Sequence, residues 1–100
     1  MLTHDEIVNA VKKTVVSYPI RTVAYFGSYA DGNQTEDSDL DLLVEFVRPI
    51  SLTTIIDFQL DMEDELNVAV DVVSFPVVEG AIIEIEKVVQ VYGQKRQDFA

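Results

Sequence analysis

Residues 27–46 read GSYADGNQTEDSDLDLLVEF, and they place a Gly-Ser pair and an Asp-x-Asp pair at the two ends of a polar loop. The β-branched and aromatic residues at 22–26 predict a strand that ends at Gly27. Residues 31–38 contain no apolar side chain, which predicts the loop. From residue 40 to residue 46 apolar side chains recur at every second position, so we expect a second strand with one core face. The core face comprises Leu40, Leu42, Val44 and Phe46, and the other face carries Asp39, Asp41, Leu43 and Glu45.

More helices and a third strand are predicted around this stretch. Thr3 and Glu6 form a capping box that begins a helix, whose apolar pattern ends at Pro19. The apolar run over 68–75 predicts a strand that is buried on both faces. The apolar spacing over 78–92 predicts a last helix, which ends at Gly93 before a polar tail. We therefore expect a single domain over residues 1–100, of the α+β (α/β-like) class, with a small mixed β-sheet flanked by helices.

A further helix is predicted over residues 52–66, with one apolar and one acidic side. The apolar side is expected to face the core and comprises Leu52, Ile55, Ile56, Leu60 and Leu66. The acidic side comprises Asp57, Asp61, Asp64 and Glu65. Such an acidic side could dock a basic surface of a partner, but solvated charges are the commoner case, and we favour that interpretation.

Composition limits the partners that this chain can have. Its 100 residues carry a net charge of −11, which repels a nucleic-acid backbone, so no direct contact with nucleic acid is expected. A nucleotide that brings its own Mg²⁺, or a basic protein, remains compatible with this charge. The absence of cysteine, of a long apolar run and of a basic leader predicts a cytoplasmic protein without a membrane span.

The aspartates are the residues most suited to binding a metal ion. Asp39 and Asp41 are two residues apart on a strand, so their carboxylates share one face and could share a divalent cation. Asp71 is the only charge in residues 68–75, and it would join them if the third strand lay beside the second. Three such carboxylates raise one another's pKa unless a cation lies between them. Solvated acids at a strand end, with Asp71 on an edge strand, are the plainer alternative.

Gly27 and Ser28 are suited to binding an anion. They follow a strand, and the next residues could form a helical turn whose free N–H groups point at a phosphate. Glycine lets a phosphate approach the backbone closely, and the Ser28 hydroxyl adds a donor. An ordinary strand-to-helix turn would use the same residues, so this pair alone does not identify a site.

Taken together, these residues closely resemble the minimal nucleotidyltransferases, the smallest members of the DNA polymerase β-like superfamily. The family pattern is Gly-Ser, a spacer that ends in Ser-Asp-x-Asp, and a third acid on a later strand. Here Gly27-Ser28, Ser38-Asp39-Leu40-Asp41 and Asp71 match it. The resemblance extends from the first strand to the last helix, and it implies the nucleotidyltransferase fold.

The resemblance also implies a function. Asp39, Asp41 and Asp71 would be the catalytic residues and the ligands of two Mg²⁺ ions, while Gly27 and Ser28 would bind the phosphates of ATP. AMP would be transferred to a tyrosine hydroxyl of a HEPN-type ribonuclease toxin, whose antitoxin this chain would be.

One residue departs from the family pattern. The family often has arginine where this chain has Asp31, and an acid there repels a phosphate that a guanidinium would bind. A catalytically inactive antitoxin of the same fold, which neutralises the toxin by binding alone, is therefore the alternative. A third possibility is a small-molecule nucleotidyltransferase that completes its acceptor pocket by forming a homodimer.

Overall fold

The computed structural model describes residues 2–35, 37–75 and 88–93. Three α-helices, one 3-10 turn at Val15–Ser17 and four β-strands occur in this part of the chain. The helices are α1 (His4–Thr14), α2 (Ser28–Asp31) and α3 (Leu52–Leu66). The strands are β1 (Ile20–Phe26), β2 (Leu40–Phe46), β3 (Val70–Phe75) and β4 (Val89–Tyr92). None of the described helices is long and apolar enough to cross a membrane.

The four strands form one mixed sheet in the order β3-β2-β1-β4. The strand β1 is antiparallel to both β2 and β4, whereas β2 and β3 are parallel. A parallel pair needs a crossover connection, and α3 supplies it. This small mixed sheet with helices confirms the predicted fold class.

The first helix begins as its sequence predicts. The Thr3 hydroxyl accepts a hydrogen bond from the Glu6 N–H at 3.1 Å, and the Glu6 carboxylate accepts one from the Thr3 N–H at 2.8 Å. Both bonds satisfy backbone donors that a helix start otherwise leaves free. Ile7 and Val11 then turn into the core, where they are almost fully buried.

Alternation along β2 separates the core from the face that carries the acids. Leu40, Leu42 and Val44 are fully buried in one cluster with residues of α1 and α3, as predicted. Asp41, Leu43 and Glu45 lie on the opposite face, and Asp39 comes directly before the strand. Glu45 is also buried there, at 8 % exposed, and its carboxylate accepts a hydrogen bond from the Thr22 hydroxyl at 3.3 Å.

The prediction for the core side of α3 was correct for Ile55 and Leu66 and wrong for the other three residues. Phe58 and Met62 are the fully buried residues of this helix, and Ile55 and Leu66 pack beside them. The predicted core residues Leu52, Ile56 and Leu60 are exposed instead. Both rows have helical spacing, so the period alone did not decide which of them meets the sheet.

The prediction that residues 68–75 form a strand buried on both faces was also wrong. The strand β3 lies at the end of the strand order, and its described residues Asp71 and Val73 are exposed. The Asp71 carboxylate therefore remains accessible to solvent. Apolar side chains on the outward face of an edge strand gave this run the appearance of a buried one.

The predicted last helix was wrong at its end. Residues 89–92 form β4, which pairs with β1 from Val23 to Tyr25. The sequence Val-Gln-Val-Tyr suits an edge strand, because its β-branched residues alternate with a polar one and Val91 reaches the core. The remainder of that prediction, residues 78–87, and the polar tail at 94–100 lie outside the described residues.

Candidate functional site

The turn at Gly27 joins β1 to the short helix α2. Gly27 has φ 74° and ψ −145°, a backbone conformation that is essentially confined to glycine. Its carbonyl accepts hydrogen bonds from the N–H groups of Ala30 and Asp31, both at 3.0 Å. Among the described residues, nothing accepts a hydrogen bond from the N–H groups of Ser28 and Tyr29. These two donors and the Ser28 hydroxyl are the groups of this turn that an anion could use.

Gly27 and Asp41 are in direct contact. A Cβ atom on Gly27 would overlap with Oδ2 of Asp41, so no larger residue fits without moving that carboxylate. The contact follows from the sheet register, in which Phe26 of β1 pairs with Asp41 of β2. The strand pairing thus brings the Gly-Ser turn and the Asp-x-Asp pair together.

The three predicted carboxylates lie at the same end of β2 and β3. In the parallel register Asp41 is directly opposite Asp71, so both side chains point to the same face of the sheet. Asp39 comes directly before β2, close enough for its charge to act on Asp41. The alignment begins one residue earlier, where the Leu40 N–H donates to the Ala69 carbonyl at 2.9 Å.

Electrostatics couple these carboxylates. Burial raises the pKa of Asp41 above its usual value, and the charges of Asp71 and Asp39 raise it further. Asp41 is half-buried, whereas Asp39 and Asp71 are exposed. A bound cation would stabilise a half-buried carboxylate with two acidic neighbours more than it would stabilise an isolated surface acid.

The donor set fits a hard cation such as Mg²⁺, which prefers oxygen ligands and commonly uses one or two carboxylates with substrate phosphates. Over the described residues, however, no three metal-binding side chains already converge on one point. Asp39 and Asp71 are exposed, so packing does not hold their side chains away from Asp41. Gly27 leaves the Asp41 carboxylate the room it needs.

One positioning contact escaped the sequence analysis. The Ser38 hydroxyl accepts a hydrogen bond from the Thr35 N–H at 2.8 Å, and the Ser38 N–H donates to the Thr35 carbonyl at 3.1 Å. This closed turn ends directly before Asp39 and directs the chain into β2. The Thr-x-x-Ser spacing is the signal that could have revealed it.

Comparison with known proteins identifies the family. Residues 9–96 match the family model described as "Polymerase beta, Nucleotidyltransferase". The chain belongs to this nucleotidyltransferase family. The match includes the Gly-Ser turn and all three aspartates, so the family resemblance noted from the sequence is confirmed.

Two relatives are named after one activity within this family. A Methanocaldococcus jannaschii protein, provisionally named protein adenylyltransferase MJ0126, is 39 % identical over 70 residues, which cover 69 % of this chain and 71 % of the relative. Protein adenylyltransferase MntA of Thermococcus cleftensis is 39 % identical over 77 residues, which cover 73 % of this chain and 78 % of the relative.

Solved structures share the fold at low identity. A toxin-antitoxin crystal structure with AMP-PNP has a TM-score of 0.72 at 20 % identity, covering 88 % of this chain and 74 % of the other. A tri-AMPylated HEPN toxin from Shewanella oneidensis in complex with an MNT antitoxin gives a TM-score of 0.66 at 16 % identity, covering 92 % of this chain and 74 % of the other. Both comparisons support the nucleotidyltransferase fold of this chain.

Proposed function

We propose that this protein is a Mg²⁺-dependent protein adenylyltransferase that transfers AMP from ATP to a hydroxyl group of a partner protein. The observation that carries the proposal is the register of the sheet, which places Asp41 opposite Asp71 and against the Gly27 turn. The names of the two relatives that are 39 % identical support the same activity.

In this proposal the Gly27 turn binds the phosphates of the nucleotide. The N–H groups of Ser28 and Tyr29 and the Ser28 hydroxyl donate to phosphate oxygens, and Gly27 allows the close approach. Asp39 and Asp41 would hold the metal ions that bind the triphosphate, and Asp71 would hold the ion that activates the acceptor hydroxyl. Bound Mg²⁺ would neutralise the phosphate charge and lower the pKa of the attacking hydroxyl.

The reaction balances as a simple displacement. The acceptor oxygen forms a bond to the α-phosphorus, the bond between that phosphorus and the β-phosphate oxygen breaks, and pyrophosphate leaves. The hydroxyl proton is released to solvent. The protein's part is to align the acceptor and the leaving group, which is the main catalytic contribution in such transfers.

The proposed acceptor is a tyrosine of a HEPN-type toxin, and the chain acts as its antitoxin in the cytoplasm. The toxin-antitoxin structures that share its fold support this partner. Two Mg²⁺ ions are proposed, as the family resemblance implies.

The test incubates the protein, radiolabelled ATP and Mg²⁺ with the protein encoded by the adjacent gene, which is tested as the proposed HEPN-type partner. We expect label on the partner that is lost with Asp39→Asn, Asp41→Asn or Asp71→Asn and is retained with Asp5→Asn, an exposed acid of α1 outside the site. Inhibition of the toxin without label, unchanged by these substitutions, would instead establish the inactive antitoxin that Asp31 suggests.

The same assay tests Asp31 directly. It is the last residue of α2, it is exposed, and its backbone N–H is bonded to Gly27. An Asp31→Arg variant would place a guanidinium near the bound phosphates, so we expect it to lower the KM for ATP. A KM for ATP that is unchanged or higher in this variant would show that Asp31 does not limit nucleotide binding.

A further inference from the structure

The outer side of α3 carries an apolar row that contributes nothing to the core. Leu52, Ile56 and Leu60 are 69 %, 45 % and 50 % exposed, and their spacing of four residues aligns them along the helix. Phe58 and Met62 fill the core from another side of the same helix. The helix α3 therefore presents large apolar side chains in two directions.

An acidic row runs beside the apolar one. Asp57, Asp61 and Asp64 are exposed on α3. The Tyr18 hydroxyl donates a hydrogen bond to Asp61 at 2.5 Å, but Asp57 and Asp64 form no ion pair within the part of the chain that the structure describes. We call Leu52, Ile56, Leu60, Asp57 and Asp64 the α3 docking face.

This combination differs from an ordinary solvated helix side. Single exposed apolar residues are common, but three aligned on one helix form a continuous patch of the kind that marks an interaction surface. The neighbouring acids specify the charge of the partner. A second copy of this chain would bring further acids to a protein that already carries a net charge of −11, so self-association at this face is disfavoured.

The apolar row of α3 lies on the side of the helix that borders β3, the strand that carries Asp71. Glu63 accepts a hydrogen bond from the Val70 N–H of β3 at 2.9 Å, so its side of α3 borders β3. Leu60 and Ile56 precede Glu63 by three and seven residues and lie on that same side. The edge strand β3 carries Asp71 on the opposite face of the sheet. A partner bound at α3 would thus reach the carboxylates by passing around β3.

We propose that the α3 docking face binds the partner protein through an amphipathic helix whose apolar stripe is flanked by lysine or arginine. The apolar rows pack ridge against groove, and the basic residues pair with Asp57 and Asp64. The inference rests on the proposed function, because the partner is the protein that receives AMP. Docking and transfer use different faces, so substitutions can separate them.

The experiment measures binding of the protein encoded by the adjacent gene, the proposed HEPN-type partner, by calorimetry without nucleotide, so catalysis does not contribute. We expect Ile56→Arg with Leu60→Arg to weaken binding about 10- to 100-fold, because each substitution removes an apolar side chain that the partner would bury. Val16→Arg is the matched control, since Val16 is 82 % exposed and lies outside α3. It should change the affinity less than about threefold.

The charges are tested in the same way. Asp57→Lys with Asp64→Lys should weaken binding and reverse its dependence on salt, because attraction becomes repulsion. Asp5→Lys makes the same change of charge in the first turn of α1 and should have little effect on affinity. Equal affinity for the α3 variants and their controls would overturn the inference.

Two further readouts separate the possible failures. If the arginine variant lowers the melting temperature by more than Val16→Arg does, the row is packed within this chain and the inference fails. Transfer of AMP with undiminished binding by the α3 variants refutes the docking face alone. Loss of binding in those variants, with no transfer by the wild-type protein, refutes the proposed activity and retains the docking face.

Discussion

At the scale of single residues, the missing side chain of Gly27 has two consequences. It leaves room for the Asp41 carboxylate, and it would allow a phosphate to approach the backbone. From the sequence, Gly27 is a candidate phosphate-binding residue because it ends a strand before serine. The structure adds that the space beside its Cα is filled by the Asp41 carboxylate. Loss of this glycine would therefore disturb a proposed metal ligand on a different strand.

We expect Gly27→Ala to lower the free energy of unfolding by about 2 to 3 kcal/mol, because it combines an unfavourable backbone conformation with the overlap at Asp41. Gly32→Ala is the control. Gly32 also has positive φ, at 79°, but nothing lies within 4 Å of the position that a Cβ atom would take there, so only about 1 kcal/mol should be lost. Urea unfolding measures both values. If both variants lost the same free energy of unfolding, the contact between Gly27 and Asp41 would not contribute to stability.

The raised pKa of Asp41 predicts a pH dependence of stability. Its folded pKa is raised by burial, then by Asp71 and Asp39, so the folded protein binds a proton more tightly than the unfolded chain. Stability without metal should therefore fall as the pH rises from the ordinary aspartate pKa of 3.8 through the folded pKa.

Asp41→Asn should remove this contribution, so the variant should be more stable than the wild-type protein at pH 7. The difference should narrow as the pH falls through the pKa of Asp41. Melting temperatures between pH 4 and pH 8 in the presence of EDTA measure it. A constant difference across that range would contradict the assignment to Asp41.

At the scale of secondary structure, the sequence predicted those elements whose pattern admitted one interpretation. The capping box at Thr3 and the strict alternation in β2 each have one structural solution, and both were correct. In α3, two apolar rows share the helical period, so only the sheet determines which is buried. For residues 89–92 a helical and an alternating pattern overlap, and pairing with β1 decides in favour of a strand.

The candidate site, like the secondary structure, was predicted in part from the sequence. The motif spacing identified Asp39, Asp41 and Asp71 as a group, and the β2-β3 register places the last two opposite each other. The exposure of Asp71 was considered only as the alternative, because the local sequence does not reveal that β3 is an edge strand. Strand order depends on contacts between residues that are distant in the chain.

The two rows of α3 should respond differently to truncation. Phe58→Ala removes a fully buried ring that also packs edge-on against Tyr18, with ring centroids 5.3 Å apart, and should cost about 3 to 5 kcal/mol. Leu60→Ala on the exposed row should change stability by no more than about 0.5 kcal/mol. Chemical denaturation of both variants measures the contrast. A large cost for Leu60→Ala would show that residues of this chain cover the row.

At the scale of the whole molecule, excess negative charge sets the response to cations. Eighteen acidic and seven basic residues give the net charge of −11, and this self-repulsion opposes the compact state. Every salt relieves part of the repulsion by screening. A specific metal site adds a second effect that depends on the identity of the cation and on named carboxylates.

Magnesium should therefore raise the melting temperature by more than sodium chloride of equal ionic strength does. Ligand at 100 times its Kd stabilises the folded state by about 2.7 kcal/mol, and 1 kcal/mol shifts the melting temperature of a domain this size by about 4 to 8 °C. Scanning fluorimetry in millimolar MgCl₂, with and without ATP, measures the rise. Asp41→Asn should retain the sodium response and lose most of the additional magnesium response, while Asp5→Asn should retain both. Equal shifts from the two salts in the wild-type protein would leave charge screening as the whole explanation and would remove the support for a metal site at Asp39, Asp41 and Asp71.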